Sequence, residues 1–450
     1  MTQTSKVMNN TERFLELYKD FRANRNGEPT WLKSRRDAAI QRFEELGFPT
    51  RKSEPWKYTP VKSMVSPEYT VATKGNYKTA QLVLDNLVYW ETSNVRLTFV
   101  DGHFSPELSV LDNLPDGLTV DSVANMLKSN PAKLEEAEGR HVEHLNDGFR
   151  ALNSAFSGDG AFIEIANGVE LADPIHVLYI NGTDQDQVMA SPRNVISVGR
   201  NSSCTIVERY AGAEHAPCYL LNGLTEFWLD VDSRVQHYKI QLESESAFHV
   251  GVSEVHQEAN SSFKSVSICV GGKVGRSEFY MEQGGAHTFC EFSGLYVVDG
   301  ERVADQFVIA RHTKDHSRSE QFFKGIMDDR GVGIFNGAII AEEGVVGTDA
   351  HQTNKNLLLS DHASAQTRPQ LEIYCDEIAC SHGATVGQLD DESLFYLRSR
   401  GIPESQGRAM LTRAFAGDVL ERIDIAPMRE RLETFLADRV HWEIQEKGGN

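Results

Sequence analysis

The sequence predicts a mainly β protein in which a long β body lies between helical segments at both ends. Short apolar runs such as Phe162-Ile163-Glu164-Ile165 and His176-Val177-Leu178-Tyr179-Ile180 follow one another from about Gly160 onward. Tight-turn pairs, which adopt positive φ readily, separate these runs: Asn181-Gly182, Asn222-Gly223, Gly271-Gly272 and Asn336-Gly337 are examples. No helical pattern of about 12 residues interrupts this stretch, so we expect many short strands.

The N-terminal segment, residues 1–157, is predicted to be mostly helical with a few strands. One helix begins near Thr30, a residue type that caps helix N-termini, and ends at Gly47 and Pro49. Its apolar positions recur at near-helical intervals: Leu32, Ala39, Phe43 and Leu46. Residues 95–100 alternate as a strand does, whereas residues 120–157 return to a helical composition rich in Ala, Leu and Glu.

The β body, residues 158–388, fits three architectures. A sandwich, a barrel and a solenoid all consist of many short strands joined by tight turns. The sequence shows no fixed-period self-similarity and lacks the strict hexapeptide repeat of some solenoids. Periodicity alone therefore leaves the three architectures open.

Three helices are predicted in the C-terminal segment, residues 389–450. Asp390 caps the first helix, whose last turn holds Arg398 and Arg400 before a glycine. Pro403 opens the second helix, and a third follows Pro427. The last two helices each have an apolar face, formed by Met410, Leu411, Ala414 and Phe415 and by Met428, Leu432, Phe435, Leu436 and Val440. These faces fit packing within the chain, and they also fit docking of a partner.

The composition is that of a globular protein with a strongly acidic balance. The chain has 450 residues, with 45 Lys and Arg against 65 Asp and Glu, and a formal charge of −20. This charge would repel a phosphate backbone, so we expect no nucleic-acid partner. The sequence shows neither a signal-peptide pattern nor the roughly 18 apolar residues of a membrane helix. We therefore expect a cytoplasmic protein without membrane contact, whose six scattered cysteines stay reduced.

Motifs of the commonest enzyme classes are missing from the sequence. Residues 270–277 contain glycines and a lysine, but their spacing does not match a phosphate-binding Walker A loop. The dinucleotide-binding G-x-G-x-x-G, the hydrolase G-x-S-x-G and the zinc-binding H-E-x-x-H motifs are also absent. We expect a non-catalytic chain that does not hydrolyse ATP by itself.

Residues 375–383 concentrate the thiol and imidazole groups that bind iron–sulfur clusters and soft metals. Successive side chains of a strand point to opposite faces, so Cys380 and His382 share a face while Cys375 differs in parity. Two ligands are half of an ordinary four-ligand site, which suggests a site shared with another subunit. In the alternative interpretation, Cys380 is a buried apolar residue and His382 is a hydrogen-bonded turn residue.

The other cysteines and histidines are predicted not to bind metal. Four cysteines stand alone in strand-like sequence and are expected to fill the core: Cys204, Cys218, Cys269 and Cys290. Four histidines gather in one region without a convincing set of ligand spacings: His312, His316, His351 and His362. We expect most of these histidines at the surface or in stacked ladders.

The order of motifs in the last third of the chain resembles the SufB/SufD family. The matching segments are Phe335-Asn336-Gly337-Ala338-Ile339-Ile340, Thr348-Asp349-Ala350-His351-Gln352-Thr353-Asn354, Pro369-Gln370-Leu371-Glu372-Ile373, Cys380-Ser381-His382-Gly383-Ala384-Thr385-Val386-Gly387 and Leu394-Phe395-Tyr396-Leu397-Arg398. Upstream segments similar to the SufD branch are Glu54-Pro55-Trp56-Lys57-Tyr58-Thr59, Pro192-Arg193-Asn194 and Val207-Glu208-Arg209-Tyr210. The resemblance touches most of the chain.

The resemblance implies a right-handed parallel β-helix core flanked by N-terminal and C-terminal helical domains. It also implies a scaffold subunit that pairs with a SufB-type subunit through the β-helix and binds a SufC-type ATPase through its C-terminal helices. A homodimer is the alternative assembly for the isolated chain. The positions that we assign to ATPase docking are Leu394, Leu397, Arg400, Met410, Leu411 and Phe415.

By motif match, His382 is the histidine that in this family faces a SufB cysteine at the subunit interface, where a nascent iron–sulfur cluster forms. Cys380 is a secondary candidate ligand. SufB-like chains place their interface cysteine in an Asn-x-Thr-x-Cys-Asp-Ser stretch, where this chain has Leu358. We therefore expect the partner half of the scaffold, with a transient cluster in the complex, no stably bound cofactor in the isolated chain, and flavin binding left open.

Two other functions fit parts of the pattern. A polysaccharide-active lyase or esterase would suit a β-solenoid, although such enzymes are typically exported. A purely structural adaptor would hold partners without contacting metal. Iron and sulfide analysis of the complex, with and without the His382 side chain, separates an adaptor from a cluster scaffold.

Overall fold

A computed structural model of the protein describes residues 9–25, 27–87, 94–139, 146–182, 184–212 and 215–439. Within these ranges most strands form two long sheets, and helices lie toward both ends of the chain. The predicted mainly β fold with flanking helices is confirmed. The described part of the chain holds no helix long and apolar enough to cross a membrane.

The helices before the solenoid begin with one that the sequence analysis did not predict. They are α1 (Asn10–Ala23), α2 (Thr30–Leu46), α3 (Val61–Val65), α4 (Tyr77–Asn86), α5 (Val123–Ser129), α6 (Pro131–Gly139) and α7 (Gly148–Phe156). α1 starts with a capping box, in which the side chains of Asn9 and Glu12 each accept the other's backbone N–H. α2 ends at Gly47 as predicted, but Thr30 is already helical, because Pro29 occupies the cap position and no side chain caps the helix.

The strands fall into two sheets that the chain visits in turn. They are β1 (Thr70–Val71), β2 (Val95–Val100), β3 (His103–Phe104), β4 (Leu118–Ser122), β5 (Ala161–Ile165), β6 (Ile175–Asn181), β7 (Val188–Ala190), β8 (Arg193–Val198), β9 (Ser203–Gly212), β10 (Tyr219–Leu229), β11 (Arg234–Leu242), β12 (Phe248–Gln257), β13 (Ser262–Cys269), β14 (Val274–Gln283), β15 (Phe289–Val298), β16 (Val303–His312), β17 (Arg318–Met327), β18 (Val332–Ala341), β19 (Thr348–Leu358), β20 (Ser364–Ile373) and β21 (Ile378–Gly387). Sheet A has the order β20-β18-β16-β14-β12-β10-β8-β5-β4, and sheet B has the order β21-β19-β17-β15-β13-β11-β9-β6-β2-β3.

This order defines a parallel β-solenoid of about seven turns. Each strand from β8 to β19 pairs in parallel with the strand two positions later in the chain, and the strand between them lies in the other sheet. Of the three architectures that periodicity left open, the structure therefore has the solenoid. Its turns are a repeat that the sequence analysis missed: sheet B strands begin at Ser203, Arg234, Ser262, Phe289, Arg318, Thr348 and Ile378, about 30 residues apart.

The repeat is hidden because one interior position holds chemically different residues from turn to turn. A single column of partners in sheet B consists of Ile206, His237, Ser265, Phe292, Gln321, Gln352 and His382. The turns that lead into successive strands of this sheet have left-handed residues other than glycine: Asn201, Asp232, Asn260, His287 and His316, with φ values from 53° to 61°. A search for glycine turns does not find these corners.

Helices cover the outer faces of both sheets. α7 packs on sheet A, where its Phe149 and Leu152 join a buried cluster with Leu220 and Val250, whereas α4 packs on β6 of sheet B. The C-terminal helices are α8 (Asp391–Ser399), α9 (Glu404–Leu420) and α10 (Ala426–Arg439). They pack on sheet B, and Asp390 caps α8 as predicted by accepting the Ser393 backbone N–H. Of the apolar face predicted for α10, Val440 lies outside the described residues.

The sheets extend into the N-terminal segment. The predicted strand at 95–100 is present as β2, and it pairs in parallel with β6 of sheet B. β4 pairs antiparallel with β5 of sheet A. Hydrogen bonding therefore crosses the boundary that we predicted between residues 157 and 158, and the division into three domains stays a prediction.

Candidate functional site

The solenoid has an open end, which consists of β20 and β21. Each of these strands pairs on one side only, β20 with β18 and β21 with β19. Residues of both strands are half-buried or exposed, whereas the strands of the preceding turns are largely buried. The free edges leave a row of backbone groups unpaired within the sheets, which is an arrangement that can accept another chain.

Cys380 and His382 lie together at this open end, on the face that points into the solenoid. Cys380 is the register partner of Ala350, and His382 is the register partner of Gln352. Both partners are buried in the interior, and side chains at paired positions of parallel strands point the same way. The predicted common face is therefore confirmed. His382 is exposed and Cys380 is half-buried because no further strand covers β21 in the described chain.

The residue between them points outward and belongs to a different cluster. Ser381 Oγ lies 2.6 Å from Nδ1 of His351, whose Nε2 lies 2.8 Å from Asp349. The His351 side chain is 51% exposed, so this histidine is on the surface as predicted. His351 and His382 thus lie on neighbouring strands of the same sheet but on opposite faces.

The thiols at the open end are protonated at neutral pH. Burial, followed by the neighbouring charge of Cys375, raises the pKa of Cys380 to about 11. Partial burial and Asp376 also raise the pKa of Cys375, which lies in the loop before β21. A thiol must lose its proton to bind iron. Cys380 is therefore a poor ligand until a positive charge approaches it and lowers its pKa. His382 needs no such activation when its ring is neutral.

Sequence reasoning missed the polar layer under the open end. Gln352, Asn354 and Asn356 occupy alternate positions of β19 and are buried in the interior. Tyr296 Oη donates to Asn356 Oδ1 at 2.5 Å, and Asn354 Nδ2 donates to the Tyr296 hydroxyl at 3.0 Å. Oε1 of Gln352 and Oγ1 of Thr367 in β20 are buried polar atoms of this layer that have no hydrogen-bond partner among the described residues. The sequence signal that could have revealed this layer is an amide side chain at every second position of the strand.

The remaining cysteines lie in or against the core, and most of the histidines lie at the surface or in a stack, as predicted. Cys204, Cys269 and Cys290 are buried, and Cys218 is half-buried, and all six cysteines are free. His316 stacks on His287 with ring centroids 5.0 Å apart, and His362 is exposed. His312 is the exception, since it is buried between Ser317 and Ser319, and burial lowers its pKa to about 4. Among the described residues, no group of three His, Cys, Asp or Glu side chains could hold a metal ion.

The predicted docking positions divide into inner and outer residues. Leu394 is buried, and its side chain and that of Leu397 contact α9 at Gly407. Phe415 and Leu411 are half-buried, and the Phe415 ring lies 4.4 Å from Lys324 Nζ of β17. Leu394, Leu397 and Phe415 therefore pack within the chain, and the assignment of the six positions to ATPase docking stays a prediction. Arg400 and Met410 are exposed, and so are two aromatic residues that we did not predict, Phe395 and Tyr396.

Fold and site together define a helix-flanked parallel β-solenoid protein with a thiol and an imidazole at the open end of the solenoid. Residues 179–415 match the family described as "SUF system FeS cluster assembly, SufBD core domain", and residues 8–177 match the "SufBD protein N-terminal region". The chain belongs to the SufBD family, which confirms the resemblance of its motifs. Membership supports a role in iron–sulfur cluster assembly.

Relatives cover nearly the whole chain. An iron–sulfur cluster assembly SufBD family protein of Synechocystis is 31% identical over 92% of each chain. The iron–sulfur cluster assembly protein SufD of Escherichia coli is 28% identical over 89% of this chain and 91% of its own length. The chloroplastic protein ABCI7 of Arabidopsis thaliana is 26% identical over 88% of this chain and 83% of its own.

Proposed function

We propose that this chain is the non-catalytic scaffold subunit of a Suf-type assembly complex. It pairs with a SufB-type subunit, and a nascent iron–sulfur cluster forms between the two subunits as their product. His382 is the ligand from this chain, and Cys380 is a secondary ligand. The observation that carries the proposal is the place of His382, which is exposed on the inner face of a strand with a free edge.

Pairing through the open end follows from its exposed strands. β20 and β21 present unpaired edges at the point where the solenoid stops, and solenoids normally need a cap at such a point. A second solenoid that covers this end would meet His382 and could supply the ligands that this chain lacks. The complex belongs in the cytoplasm, where the six free cysteines stay reduced.

Docking of a SufC-type ATPase is assigned to the outer face of α8 and α9. Phe395 is 72% exposed and Tyr396 is 57% exposed, Arg400 lies over the Tyr396 ring, and Met410 of α9 is also exposed. Large apolar side chains clustered on a surface are typical of protein interfaces. ATP hydrolysis by that partner supplies the energy for a rearrangement that opens the interface around His382.

The site is tested by replacing one of two histidines that lie at the same end. The complex is co-expressed, purified without oxygen, and analysed for iron and acid-labile sulfide. His382→Ala should lose most of both elements without loss of subunits. His351→Ala, a matched control on the outer face of the adjacent strand, should keep them. Equal iron and sulfide in the wild type and in His382→Ala would refute the site assignment.

Docking is tested separately by co-purification of the ATPase. Phe395→Ser combined with Met410→Ser should abolish capture of the ATPase while the SufB-type subunit is retained. Leu82→Ser removes an apolar side chain of similar exposure from α4 and should leave capture intact. Full ATPase binding by the double variant would show that the docking surface lies elsewhere.

A further inference from the structure

A column of amides runs up the interior of sheet B and ends beneath His382. Gln321 in β17 is the register partner of Gln352 in β19, which is in turn the register partner of His382 in β21. Neighbouring strands are about 4.8 Å apart, so these three side chains are stacked within reach of one another. Gln321 and Gln352 are both buried, whereas His382 is exposed.

The hydrogen bonds of this column use up the Nε2 donors of both glutamines. Gln321 Nε2 donates across the interior to the Ala338 carbonyl of β18 at 3.1 Å, and Gln352 Nε2 donates to Gln321 Oε1. The Gln352 donor therefore points back to β17, away from the open end. The Oε1 of Gln352 is left over, fully buried and without a hydrogen-bond partner in the described chain. A buried acceptor without a partner is destabilising, so it favours any donor within reach.

Space for the amide pair is provided by a glycine on the opposite sheet. A Cβ on Gly337 of β18 would overlap Nε2 of Gln352 and would lie 2.9 Å from Oε1 of Gln321. The amides therefore fill room that any other residue at this position would occupy. Two features fix the orientation of the Gln352 side chain: its hydrogen bond to Gln321 and the limited space beside Gly337.

We propose that Gln352 is a positioning residue for His382: its unpaired Oε1 accepts a ring N–H of His382 and so fixes which ring nitrogen faces the subunit interface. A neutral imidazole has one N–H and one bare nitrogen, and only the bare nitrogen can bind a metal. Metal-binding histidines commonly donate their other N–H to an oxygen acceptor, which sets ring orientation and tautomer. The inference rests on the proposed ligand role of His382.

The test measures the tautomer of His382 directly, in the full-length chain without metal. The protein is labelled with ¹⁵N-histidine, and two-bond proton–nitrogen correlations of the rings are recorded at pH 8, where ordinary histidines are neutral. The His382 signals are assigned by their loss in His382→Gln. In the wild type, one protonated and one bare ring nitrogen should be resolved. In Gln352→Met, the two nitrogen shifts should converge, because the tautomers then exchange freely.

A matched control replaces another interior glutamine. Gln306 in β16 is equally buried, and neither of its amide atoms has a hydrogen-bond partner among the described residues, but it lies two strands below β20 in sheet A. Gln306→Met should leave the His382 signals unchanged. Should Gln352→Met fail to fold because Gln321 loses its donor, the double variant Gln321→Met and Gln352→Met leaves no orphaned amide and serves the same purpose.

Unchanged His382 shifts in the folded Gln352 variant would overturn the inference. Iron and sulfide content of the anaerobic complex separates this failure from failure of the proposed function. Loss of the cluster in His382→Ala, with unchanged shifts in Gln352→Met, would leave the function standing and remove the role of Gln352. Converging shifts, with full cluster in His382→Ala, would keep the role of Gln352 and remove the ligand role of His382. If both hold, Gln352→Met should weaken cluster retention about 10- to 100-fold.

Discussion

Replacing Arg276 by methionine should destabilise the junction between the N-terminal segment and the solenoid. The guanidinium group of Arg276 is fully buried in sheet A, where its Nε donates to Glu278 at 2.6 Å and its Nη1 pairs with Asp305. Nη1 also donates to the Pro55 carbonyl at 3.0 Å, and the group lies 3.8 Å from the centre of the Trp56 ring. The substitution removes all of these contacts and leaves buried carboxylates behind.

The expected loss is about 3 kcal/mol at pH 8, the lower end of the range for breaking a buried ion pair. The loss is limited because Glu278 keeps Arg150 at 3.6 Å and Asp305 keeps the Thr59 hydroxyl at 2.5 Å. Burial already raises the pKa of Asp305, and removing Arg276 raises it further. The folded variant therefore binds more protons than the unfolded chain, so its penalty should shrink as the pH falls from 8 to 5.

Urea unfolding followed by tryptophan fluorescence measures this loss, since Trp56 reports on the junction itself. With a denaturant slope of about 3 kcal/mol per M, the midpoint should fall by about 1 M. Arg234→Met is the control: its pair with Glu170 is 66% and 69% exposed, so the midpoint should hardly move. If the midpoint of Arg276→Met fell no further than that of Arg234→Met, the buried guanidinium group would not stabilise the junction.

Three further predictions concern the open end and the core. Because its raised pKa suppresses the thiolate, Cys380 should react with iodoacetamide at pH 7 about 10-fold more slowly than free cysteine. The rate is measured by mass spectrometry, and a rate equal to that of free cysteine would contradict the raised pKa. The lowered pKa of His312 means that the unfolded chain binds a proton at a higher pH than the folded chain does. The free energy of unfolding should therefore fall by about 3 kcal/mol between pH 6.5 and 4. His312→Gln should flatten this pH dependence, as measured by urea unfolding. Gly337→Ala should force Gln352 aside and destabilise the fold by about 1–3 kcal/mol, which lowers the urea midpoint. Gly387→Ala is the control, because its added methyl group meets no atom within 4 Å and should leave the midpoint unchanged. Equal midpoints for the two variants would show that Gly337 is not crowded.

The ends of the molecule could be predicted from local signals. Asp390 caps α8 because its carboxylate accepts a backbone N–H three residues on, a pattern that is visible in the sequence. The strand parity of Cys380 and His382 was also sufficient to place them on one face. Both inferences depend on residues that are neighbours in the chain, so no knowledge of the tertiary fold was needed.

The solenoid could not be predicted from periodicity, because its neighbours are distant in the chain. Paired residues such as Ile206 and His237 are about 30 positions apart and share no side-chain chemistry. Corners such as Asn260 and His287 adopt left-handed conformations without glycine. Only the resemblance of longer motifs pointed to the fold.

The docking positions and the amide column show a second limit. Apolar spacing on a helix cannot tell whether Leu394 faces its own chain or a partner, and the structure shows it packed on α9. Gln352 was read as part of a motif, but its unpaired oxygen depends on the direction of a hydrogen bond to Gln321 two strands back in the chain. Such a direction is a property of packed side chains and has no signature in the sequence.

Pulsed electron paramagnetic resonance can show whether His382 binds a cluster shared with another subunit. The complex is reconstituted from separately purified subunits, with ¹⁵N-histidine in this chain alone, loaded with iron and sulfide, and reduced. We predict a strongly coupled ¹⁵N nucleus that is present in the wild type and in His351→Ala and is lost in His382→Ala. A loaded cluster without any ¹⁵N coupling, or a coupling that persists in His382→Ala, would contradict it.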